Sequence, residues 1–552
     1  MLSTIRRTAV RAGAAGVTGG LGFGLYLYET DPGTKRVVKA YTTFAPVVLH
    51  YRFTELRDKI SPVADEEWEA LDEKYAASTV ADLGELQGMY AKYGQTAAGM
   101  TNTLGDAWIR ELRKLEDDIP PRPVESVYKT IEEEMGKPVT EAFEYFDPVP
   151  LGSASIGQVH RAIMKDGREV AVKVQYNEAQ ELFHGDINTI RNFCEVLAPE
   201  QVCAMEALRK SNEAELDYEN EAKNLTDVTR NMKKHGFMPR DVVVPQPIMA
   251  TKRILIMELL PGPKLTDGMR AYYETWAKAQ GTTLEKLEKE AKQKIEEEGI
   301  PARYSGPSAF KVGMYRRWLQ ARGALLNAGI GIYNSTLGRV KNPMAYVESF
   351  LPPNTPRIVD TLMRAHGYQL LVDGVFNADP HGGNFLLLPD GRIGFIDYGA
   401  TKVLTRNERI TACVLFAALA RGDKDMLFEI ADVGGFKSKY GDKDVLYKLF
   451  QFAYDSWGRD VTGGMNVVQF MDDLKTRDPW TETPDNFVMC SYMSIRLRSV
   501  SLGMNHPVKC SDYWASIAEE ELKRLGLPYE SWDRALLDKY KPDLTIQKFT
   551  FG

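Results

Sequence analysis

The sequence predicts an α+β fold of two lobes, with a helical extension ahead of the first lobe and a helical insertion in the second. Three observations indicate it. From Val149 apolar residues recur at every second position, as in strands, and most of the remaining chain has helical patterns. The third observation is a spaced set of Asp and Asn residues near position 380. At 552 residues and 44% hydrophobic content, the chain has ample material for a core and length for more than one domain.

The first 30 residues differ in composition from the rest. They contain several arginines and no acid before Glu29, which is typical of a mitochondrial presequence. The stretch 12–28 is uncharged and just long enough to span a bilayer, and glycines at four-residue intervals would let a second helix approach closely. We predict a mitochondrial presequence at 1–30 that could also serve as a transmembrane anchor; the alternative is a flexible leader that is cleaved. The residues concerned are Arg6, Arg7, Arg11, Gly16, Gly20 and Gly24.

The global composition argues against some classes of function. A net charge of −7 provides no basic field, so we do not expect nucleic acid as a partner. The five cysteines are dispersed and form no CxxC pair, which argues against a zinc site or a secreted disulfide scaffold and favours reduced thiols.

Residues 31–145 are predicted to form the helical extension. A helical pattern with small residues runs from Ser78 to Gly99, and a second one ends at Pro120 and Pro121, which cannot continue a helix. A further helical pattern then leads to the first strand.

Residues 146–260 are predicted to form the small lobe. Three strands joined by a small-residue loop and an Asp-Gly turn follow in order, and the third strand holds Lys173 in the run VAVK. A lysine in such a β-branched strand needs a partner, which we expect on the next helices, where Asp217 and Glu221 share one face. The alternative is an edge-strand lysine whose ammonium group reaches solvent.

Residues 261–545 are predicted to form the large lobe, and three of them have the spacing of a kinase-type phosphoryl-transfer site. Asn384 follows Asp379 by five residues, and Asp397 begins an Asp-Tyr-Gly triplet. In protein kinases the first Asp is catalytic, whereas the Asn and the second Asp hold Mg²⁺, a hard cation that suits oxygen ligands and carries ATP. The pattern therefore predicts a site for Mg²⁺ and ATP.

The same arrangement assigns roles to other residues. Lys173 would contact the nucleotide phosphates and pair with a helical Glu. Met257 and Leu259 belong to the expected hinge, where backbone groups meet the adenine. His381, within DPHGGN, is expected to orient the catalytic loop, since no second ligand lies nearby in sequence.

These blocks together resemble the UbiB family of atypical protein-kinase-like proteins, also called aarF-domain-containing kinases. The resemblance covers residues 80–265 and 355–420 and is specific, because several motifs occur in order. The motifs are KxGQ at Lys92–Gln95, an Ala-rich loop in PLGSASIGQVHRA, the VAVK lysine Lys173, an ExD signature at Glu215–Asp217, the pairing acid Glu221, DPHGGN and DYG.

The resemblance implies an ATP-binding, protein-kinase-like fold whose KxGQ helix lies across the site where a protein kinase takes its peptide. Lys92 and Gln95 then become active-site residues, expected to engage Glu215 and Asp217. Ordinary protein phosphorylation becomes less expected. Family members with mitochondrial or chloroplast targeting sequences act in isoprenoid-quinone and lipid metabolism, through ATPase or small-molecule kinase activity. The length and the leader look most like the mitochondrial lipid-homeostasis branch.

Two departures from the family pattern limit what is carried over. The loop begins Gly-Ser at Gly152 where the family has two alanines, so that Ala154 and Ser155 form the conforming pair. We expect the backbone at these three residues to contact the phosphates, and Gly152 adds conformational freedom. Asn377 stands where the family usually has His, and Gly383 where it has Pro, but neither change removes a metal ligand.

A helical insertion is predicted at 268–350, because Glu258 and Asp379 are farther apart than a modest hinge-to-loop connection requires. A charged helix with Glu and Lys four residues apart comes first. Between Gly299 and Val347 there is no acidic residue, and cations alternate with aromatic and aliphatic residues, a composition typical of helices that lie on a membrane surface. The alternative is a docking or core helix whose arginines pair with acids of the large lobe. The cations are Arg303, Lys311, Arg316, Arg317, Arg322, Arg339 and Lys341.

From these patterns we predict an atypical kinase or ATPase that uses Mg-ATP at the mitochondrial inner membrane and supports lipid or ubiquinone homeostasis. Asp379 would orient or deprotonate an acceptor, either water or the hydroxyl of a lipid or phenolic small molecule. One alternative is a nucleotide-gated scaffold that binds lipid or protein partners with little turnover. The other is a true protein kinase, which the KxGQ helix and the lack of an APE-like segment after DYG disfavour.

Overall fold

The fold is taken from a computed structural model that describes residues 32–58, 60–98, 105–112, 114–117, 121–197, 209, 213, 215–337, 342–347, 353–465, 467–543 and 546–548. The predicted presequence and anchor at 1–30 therefore lies outside the described residues. Within the described ranges, none of the helices combines the length and the apolar character needed to cross a bilayer.

In the described residues, the helical extension has five helices ahead of the small lobe. The longest, α1, is held to the later helix α8 by two hydrogen bonds from the Arg36 guanidinium to the carboxylate of Asp186, at 3.1 and 2.6 Å. Arg36 also donates to the carbonyl of Leu86, just before α3 begins. The elements are α1 (Pro32–Asp58), α2 (Asp65–Leu86), α3 (Gly88–Ala98), α4 (Asp106–Leu112), α5 (Lys114–Asp117) and α8 (Ala179–Leu197).

The small lobe is built on an antiparallel five-stranded sheet with strand order β1-β2-β3-β6-β5. Its alternating apolar residues bury one face under α6 and α7, through contacts such as Val127 and Ile131 against Val172 and Ile256. The elements are α6 (Val124–Met135), α7 (Val139–Ala142), β1 (Phe143–Ser153), β2 (Gly157–Met164), β3 (Glu169–Gln175), α9 (Tyr218–Lys234), β5 (Pro247–Ala250) and β6 (Ile254–Glu258).

The hydrophobic core of the small lobe includes residues that precede residue 146, where the lobe was predicted to begin. Strand β1 begins at Phe143, and the helices α6 and α7, predicted as part of the extension, share a hydrophobic core with the sheet. The reason is that the apolar face of α6, with Val127 and Ile131, can be buried only against the sheet.

The large lobe packs its helices around α14, most of whose residues are buried. A capping box between Thr405 and Glu408 begins this helix, and Gly422 ends it in the left-handed conformation. The helices of this lobe are α10 (Leu265–Ala279), α11 (Leu284–Glu298), α12 (Ala309–Ser335), α13 (Thr355–Tyr368), α14 (Arg406–Arg421), α15 (Lys424–Val433), α16 (Lys443–Phe450), α17 (Arg459–Thr462), α18 (Val467–Arg477), α19 (Asp485–Gly503), α20 (Ser511–Arg524) and α21 (Arg534–Lys539).

Three small sheets accompany these helices. The parallel pairing of β4 with β9 ties the end of the small lobe to the loops around residue 390, and the antiparallel pair β7 and β10 brackets the predicted catalytic segment. The strands are β4 (Val242–Val243), β7 (Val375–Asn377), β8 (Phe385–Leu387), β9 (Ile393–Phe395), β10 (Thr401–Val403), β11 (Lys437–Ser438), β12 (Trp480–Pro484) and β13 (Ile546–Lys548).

The segment predicted as an insertion is helical in the structure. It contains most of α10, the charged helix α11 and the 27-residue helix α12. Most side chains of α12 are exposed, including large apolar ones.

Candidate active site

Lys173 lies on the central strand of the small lobe and faces two carboxylates. Its Nζ is 2.9 Å from both carboxylate oxygens of Glu221 on α9, and 3.0 Å from Oδ2 of Asp397. The predicted pairing of this lysine with Glu221 is thus present. Since β3 lies between β2 and β6 in the sheet, Lys173 is a central-strand residue, with its side chain 13% exposed, and not an edge-strand lysine.

The loops that carry Asp379 and Asp397 are held together by Asn377. Its Oδ1 accepts a hydrogen bond from the Asp379 backbone N–H at 2.8 Å, and its Nδ2 donates to the carbonyl of Asp397 at 2.9 Å. Asn377 was noted in the sequence only as a departure from the family pattern. It serves as a clamp because the pairing of β7 with β10 brings the two loops within reach of one side chain.

The other residues of these loops are fixed by short local bonds. Asn384 donates from Nδ2 to the carbonyl of Asp379 at 3.1 Å, which leaves its Oδ1 available as an oxygen ligand. Oδ1 of Asp397 accepts from the N–H of Gly399 at 3.0 Å. His381 accepts from the Gly383 N–H at 3.2 Å, so it shapes the loop as predicted, and burial lowers the pKa of its imidazole.

Helix α3 reaches the same site from the extension. Nζ of Lys92 is 3.0 Å from Oε2 of Glu215 and 3.3 Å from Oδ2 of Asp379, a residue 287 positions away in the sequence. The expected contact of Lys92 with Glu215 is present, and Lys92 also contacts the predicted catalytic carboxylate itself.

The predicted contacts between the KxGQ and ExD motifs are wrong for two residues, Gln95 and Asp217. Nε2 of Gln95 donates to the carbonyl of Leu115 at 2.8 Å and not to an acid of the ExD motif, because this side chain faces the short helix α5. Asp217 is the N-cap of α9 and accepts from the N–H groups of Glu219 and Asn220 at 3.0 and 3.2 Å. An Asp directly before a helical run is a common N-cap, which was the signal for this role in the sequence.

Arg496 was missed by the sequence analysis. Its Nε lies 3.1 Å from Oδ1 of Asp379, and its guanidinium also donates to the carbonyl of Gln95 at 3.2 Å. The side chain is only 6% exposed and comes from α19, late in the large lobe. The sequence offered only a weak signal, since no motif marks Arg496 and a second arginine, Arg498, lies two residues later in the same helix.

Seven charged side chains form one largely buried cluster, which we call the charge cluster. Four carboxylates face three cations, so the cluster carries one excess negative charge when all seven groups are ionised. Its members are Lys92, Lys173, Glu215, Glu221, Asp379, Asp397 and Arg496. Oε1 of Glu215 is buried and accepts no hydrogen bond from the described residues.

Burial and the neighbouring charges shift the pKa values of the cluster residues in different directions. Burial would raise the pKa of Asp379, but Arg496 and Lys92 hold that pKa below its ordinary range. Burial would lower the pKa of Lys92 and of Lys173, but the neighbouring carboxylates hold both above their ordinary value. Burial raises the pKa of Glu221 to about 7 against the opposing charge of Lys173. Asp379 is therefore a stable anion, whereas Glu221 can gain a proton near neutral pH.

The small-residue loop predicted to contact phosphates lies between β1 and β2. Gly152 pairs with Val159 directly after a register shift in β1, and its φ is not positive, so it does not use the left-handed conformations open to glycine. The carbonyl of Ser155 accepts from the N–H of Gly88 at 3.1 Å, which fastens this loop to the start of α3. The N–H of Ala154 donates to the carbonyl of Gly157 at 2.7 Å. This loop is therefore packed against the extension.

The predicted hinge connects β6 to α10. Met257 is the penultimate residue of β6 and is buried between its partners Ala171 and Pro247, and Leu259 is the first residue after the strand. Gly262 has a φ of +138°, and a Cβ there would lie 2.4 Å from the carbonyl oxygen of Leu387. The close approach of the hinge to the large lobe thus requires glycine.

Comparisons with known proteins identify sequence relatives of this chain. A family model described as the ABC1 atypical kinase-like domain matches residues 114–298 and 352–431. Relatives named AarF domain-containing protein kinase 1 are 26% identical in Xenopus laevis, over 73% of this chain and 66% of that protein, and 27% identical in Mus musculus, over 82% and 74%. An uncharacterized chloroplastic aarF domain-containing protein kinase of Arabidopsis thaliana is 31% identical over 32% of this chain and 35% of its own length.

The chain belongs to the ABC1, or AarF, family of atypical kinase-like proteins, which is the UbiB family of the sequence resemblance. The alignments span 66% and 65% of the lengths of the Xenopus laevis and Gallus gallus relatives. The segment 299–351, which includes α12, lies between the two parts that the family model matches.

A solved structure, the complex of Rv3197 with erythromycin from Mycobacterium tuberculosis, is 22% identical and aligns with 82% of this chain and 99% of that one, at a TM-score of 0.36. At a TM-score this low, the likeness adds nothing to what the chain itself shows.

Proposed function

We propose that this protein binds Mg-ATP between its lobes and acts as an atypical kinase or ATPase. The observation that carries the proposal is Lys173, whose ammonium group bridges Glu221 and Asp397 at 2.9 and 3.0 Å. In kinase-type sites the strand lysine contacts the phosphates, and its pairing with a helical Glu is required for activity. Asp379 and Asn384 lie on the adjoining loop at the kinase spacing.

The residues present suit a magnesium ion. The carboxylate of Asp397 and the amide oxygen of Asn384 are oxygen ligands of the kind that Mg²⁺ prefers. The negative charge of the fully ionised cluster favours an added cation, as does Oε1 of Glu215, which accepts no hydrogen bond from the described residues. When bound with ATP, magnesium would neutralise phosphate charge.

The roles of the chain's own residues follow from their contacts. Lys173 would hold the phosphates, and Asp379 would orient the hydroxyl of the acceptor. The depressed pKa of Asp379 makes it a weak base, so positioning is its main contribution. One oxygen of this carboxylate contacts Lys92 and the other contacts Arg496, so an acceptor hydroxyl would share or replace one of these contacts.

The acceptor proposed is water or the hydroxyl of a lipid or phenolic small molecule. Lys92 on α3 lies directly against Asp379, which disfavours a peptide at that position and hence a protein kinase. The presequence-like composition of residues 1–30 and the family resemblance support action at the mitochondrial inner membrane, in lipid or ubiquinone homeostasis.

A nucleotide-gated scaffold is the second candidate. The observation that favours it is the double ion pair of Asp379, because a carboxylate held by two cations is poorly placed to engage an acceptor. In that case ATP binding would change the position of α3 and thereby expose or cover a partner surface, without useful turnover.

The experiment that separates these functions measures ATP hydrolysis by the purified chain, with and without phenolic or lipid additives, alongside Asp379→Asn and Asp397→Asn. Turnover that Asp397→Asn abolishes supports the enzyme. Turnover no higher than that of Asp397→Asn, with nucleotide binding retained, leaves only the scaffold. Phosphate transfer to added protein with no hydrolysis or small-molecule product would instead support the protein kinase.

Lys92→Ala provides a more specific prediction. Removal of this cation frees Oδ2 of Asp379 and raises the pKa of that carboxylate, because one of its two positive neighbours is lost. We expect the acidic limb of the pH–rate profile to move to higher pH and turnover to rise, whereas Lys92→Arg keeps the charge and the original limb. An unchanged pH profile in Lys92→Ala would show that Lys92 does not control Asp379.

A further inference from the structure

Helix α12 presents an apolar face that no described residue covers. The helix has 27 residues and is therefore about 40 Å long. Its apolar stripe consists of side chains spaced four or three residues apart, which places them on one face. Phe310 is 76% exposed, Leu325 77% and Ile332 68%. The apolar stripe comprises Phe310, Met314, Trp318, Ala321, Leu325, Ala328 and Ile332.

Cations border the apolar stripe on both sides. Arg317 follows Phe310 by seven residues and lies along one edge, whereas Lys311 and Arg322 lie along the other. The guanidinium of Arg322 is 5.8 Å from the ring centre of Trp318. No acidic residue occurs between positions 299 and 347. The alternative prediction, arginines paired with acids of the large lobe, holds for Arg303, which pairs with Asp360 before the helix begins. Among the described residues, no acid pairs with the cations on the helix itself, which are Lys311, Arg316, Arg317 and Arg322. Long cationic side chains beside an apolar stripe can reach charged groups above it.

The opposite side of α12 is occupied by the segment 342–347. The Asn327 side chain exchanges two hydrogen bonds with the backbone of Val347, at 2.9 and 2.7 Å. Asn334, seven residues later on the same side, does the same with Met344 at 2.8 Å for both bonds. This segment therefore covers the helix away from the apolar stripe and leaves the stripe open.

The segment just before α12 is hydrogen-bonded to the large lobe. Arg303, a few residues before the helix, donates to Oδ1 of Asp360 on α13 at 3.0 and 2.8 Å, and Ser305 donates to the same oxygen at 3.0 Å. The Arg303 guanidinium also lies 4.8 Å from the ring centre of Tyr513 on α20. A helix anchored in this way has a defined direction relative to the lobe.

We propose that α12 lies flat on a lipid bilayer that carries anionic headgroups, with the apolar stripe in the interface and the bordering cations at the headgroups. The complementarity of a purely cationic helix to an anionic surface supports this partner, and each nearby cation adds to the attraction. A second copy of the helix is disfavoured, because cations would face cations. Since the family model omits 299–351, the inference rests on this segment itself. It deepens the membrane association proposed above and is independent of nucleotide chemistry.

The test is hydrogen exchange of the purified full chain, read by mass spectrometry in peptides from 309–335. It compares vesicles of pure phosphatidylcholine with vesicles that also contain cardiolipin. We expect exchange in this helix to slow only with the cardiolipin vesicles, and the protection to weaken as salt is added. The readout is local, so binding through residues 1–30 does not mimic it.

Substitutions on α12 test which face of the helix contacts the bilayer. Leu325→Glu should reduce vesicle affinity on the order of tenfold, because it replaces buried apolar area by a charge. Gln320→Glu adds the same charge on the opposite, exposed side of α12 and should leave affinity nearly unchanged. Arg317→Gln with Arg322→Gln is a second variant that keeps the helix and should lower affinity for cardiolipin vesicles alone.

Three results would overturn the inference. Vesicle binding without protection of 309–335 would keep the proposed membrane association but assign it to another segment. Protection that rises with protein concentration and without vesicles would indicate a second copy. Protection by poly-glutamate but not by vesicles would indicate an acidic protein partner.

Discussion

Asp379 is a carboxylate whose contacts come from distant parts of the sequence. Lys92 from the extension and Arg496 from a late helix each contact one of its oxygens, and Asn377 holds its backbone. Removal of one member of a buried ion pair costs several kcal/mol, because the remaining charge is left without compensation. The charge cluster is thus both the candidate site and a constraint on stability.

The raised pKa of Glu221 predicts a pH-dependent stability. Burial raises this pKa from 4.5 to about 7. The folded chain then holds a proton that the unfolded chain releases near 4.5, so the contribution to stability is complete below 4.5 and is lost as pH rises through about 7. We expect the wild type to lose up to about 3 kcal/mol between pH 5 and 8 relative to Glu221→Gln, measured by urea unfolding.

The matched control for this prediction is Glu219→Gln on the same helix, where the side chain is exposed. Its difference from the wild type should vary by less than about 0.5 kcal/mol over that pH range. Equal pH dependence in both variants would show that Glu221 does not titrate in this window.

At the scale of elements, α12 and the segment 342–347 form a unit held by two asparagines. Seven residues of helix and three residues of extended chain both span about 10 Å, which is why Asn327 and Asn334 can each pair with a backbone position of the same strand-like segment. The unit keeps one side of the helix covered and the apolar stripe open.

Asn334→Ala should release this segment locally. Two hydrogen bonds to Met344 are lost, each worth about 1 kcal/mol, so exchange at the Met344 N–H should accelerate roughly tenfold or more. Gln320→Ala on the same helix is the control and should not change exchange at that N–H. If both variants exchange at the wild-type rate, the asparagine does not hold the segment.

At the scale of the whole molecule, the extension is connected to the active site through α1. Arg36 pairs with the buried Asp186 on α8 and contacts the Leu86 carbonyl, next to the helix that carries Lys92. The N–H of Gly88 then joins α3 to the small-residue loop. A change in the position of α1 can therefore reach Lys92 through direct contacts.

Arg36→Ala tests this connection. Asp186 would remain buried without its partner, and we expect α1 to lose about 3 kcal/mol of protection in native-state hydrogen exchange. Lys39→Ala, which breaks the exposed pair with Glu85 on the neighbouring helix, should cost less than about 0.5 kcal/mol. Similar losses in the two variants would mean that the buried pair does not hold α1 in place.

Much of the candidate site was predictable from contiguous motifs. Lys173, Asp379 and Asp397 were located by local patterns, and the pairing of Lys173 with Glu221 is present in the structure. The expected contacts of Gln95 and Asp217 were wrong, because the direction of a side chain depends on which neighbouring segment packs beside it.

By itself, the sequence determined the α+β class, the strands around Lys173, the family, and the spacing of Asp379, Asn384 and Asp397, because each depends on residues that are close together in the chain. Only the tertiary structure decided that Arg496 and Lys92 both hold Asp379, and that α12 leaves an apolar face exposed. Burial and ion pairing are made between distant segments, so local patterns do not encode them.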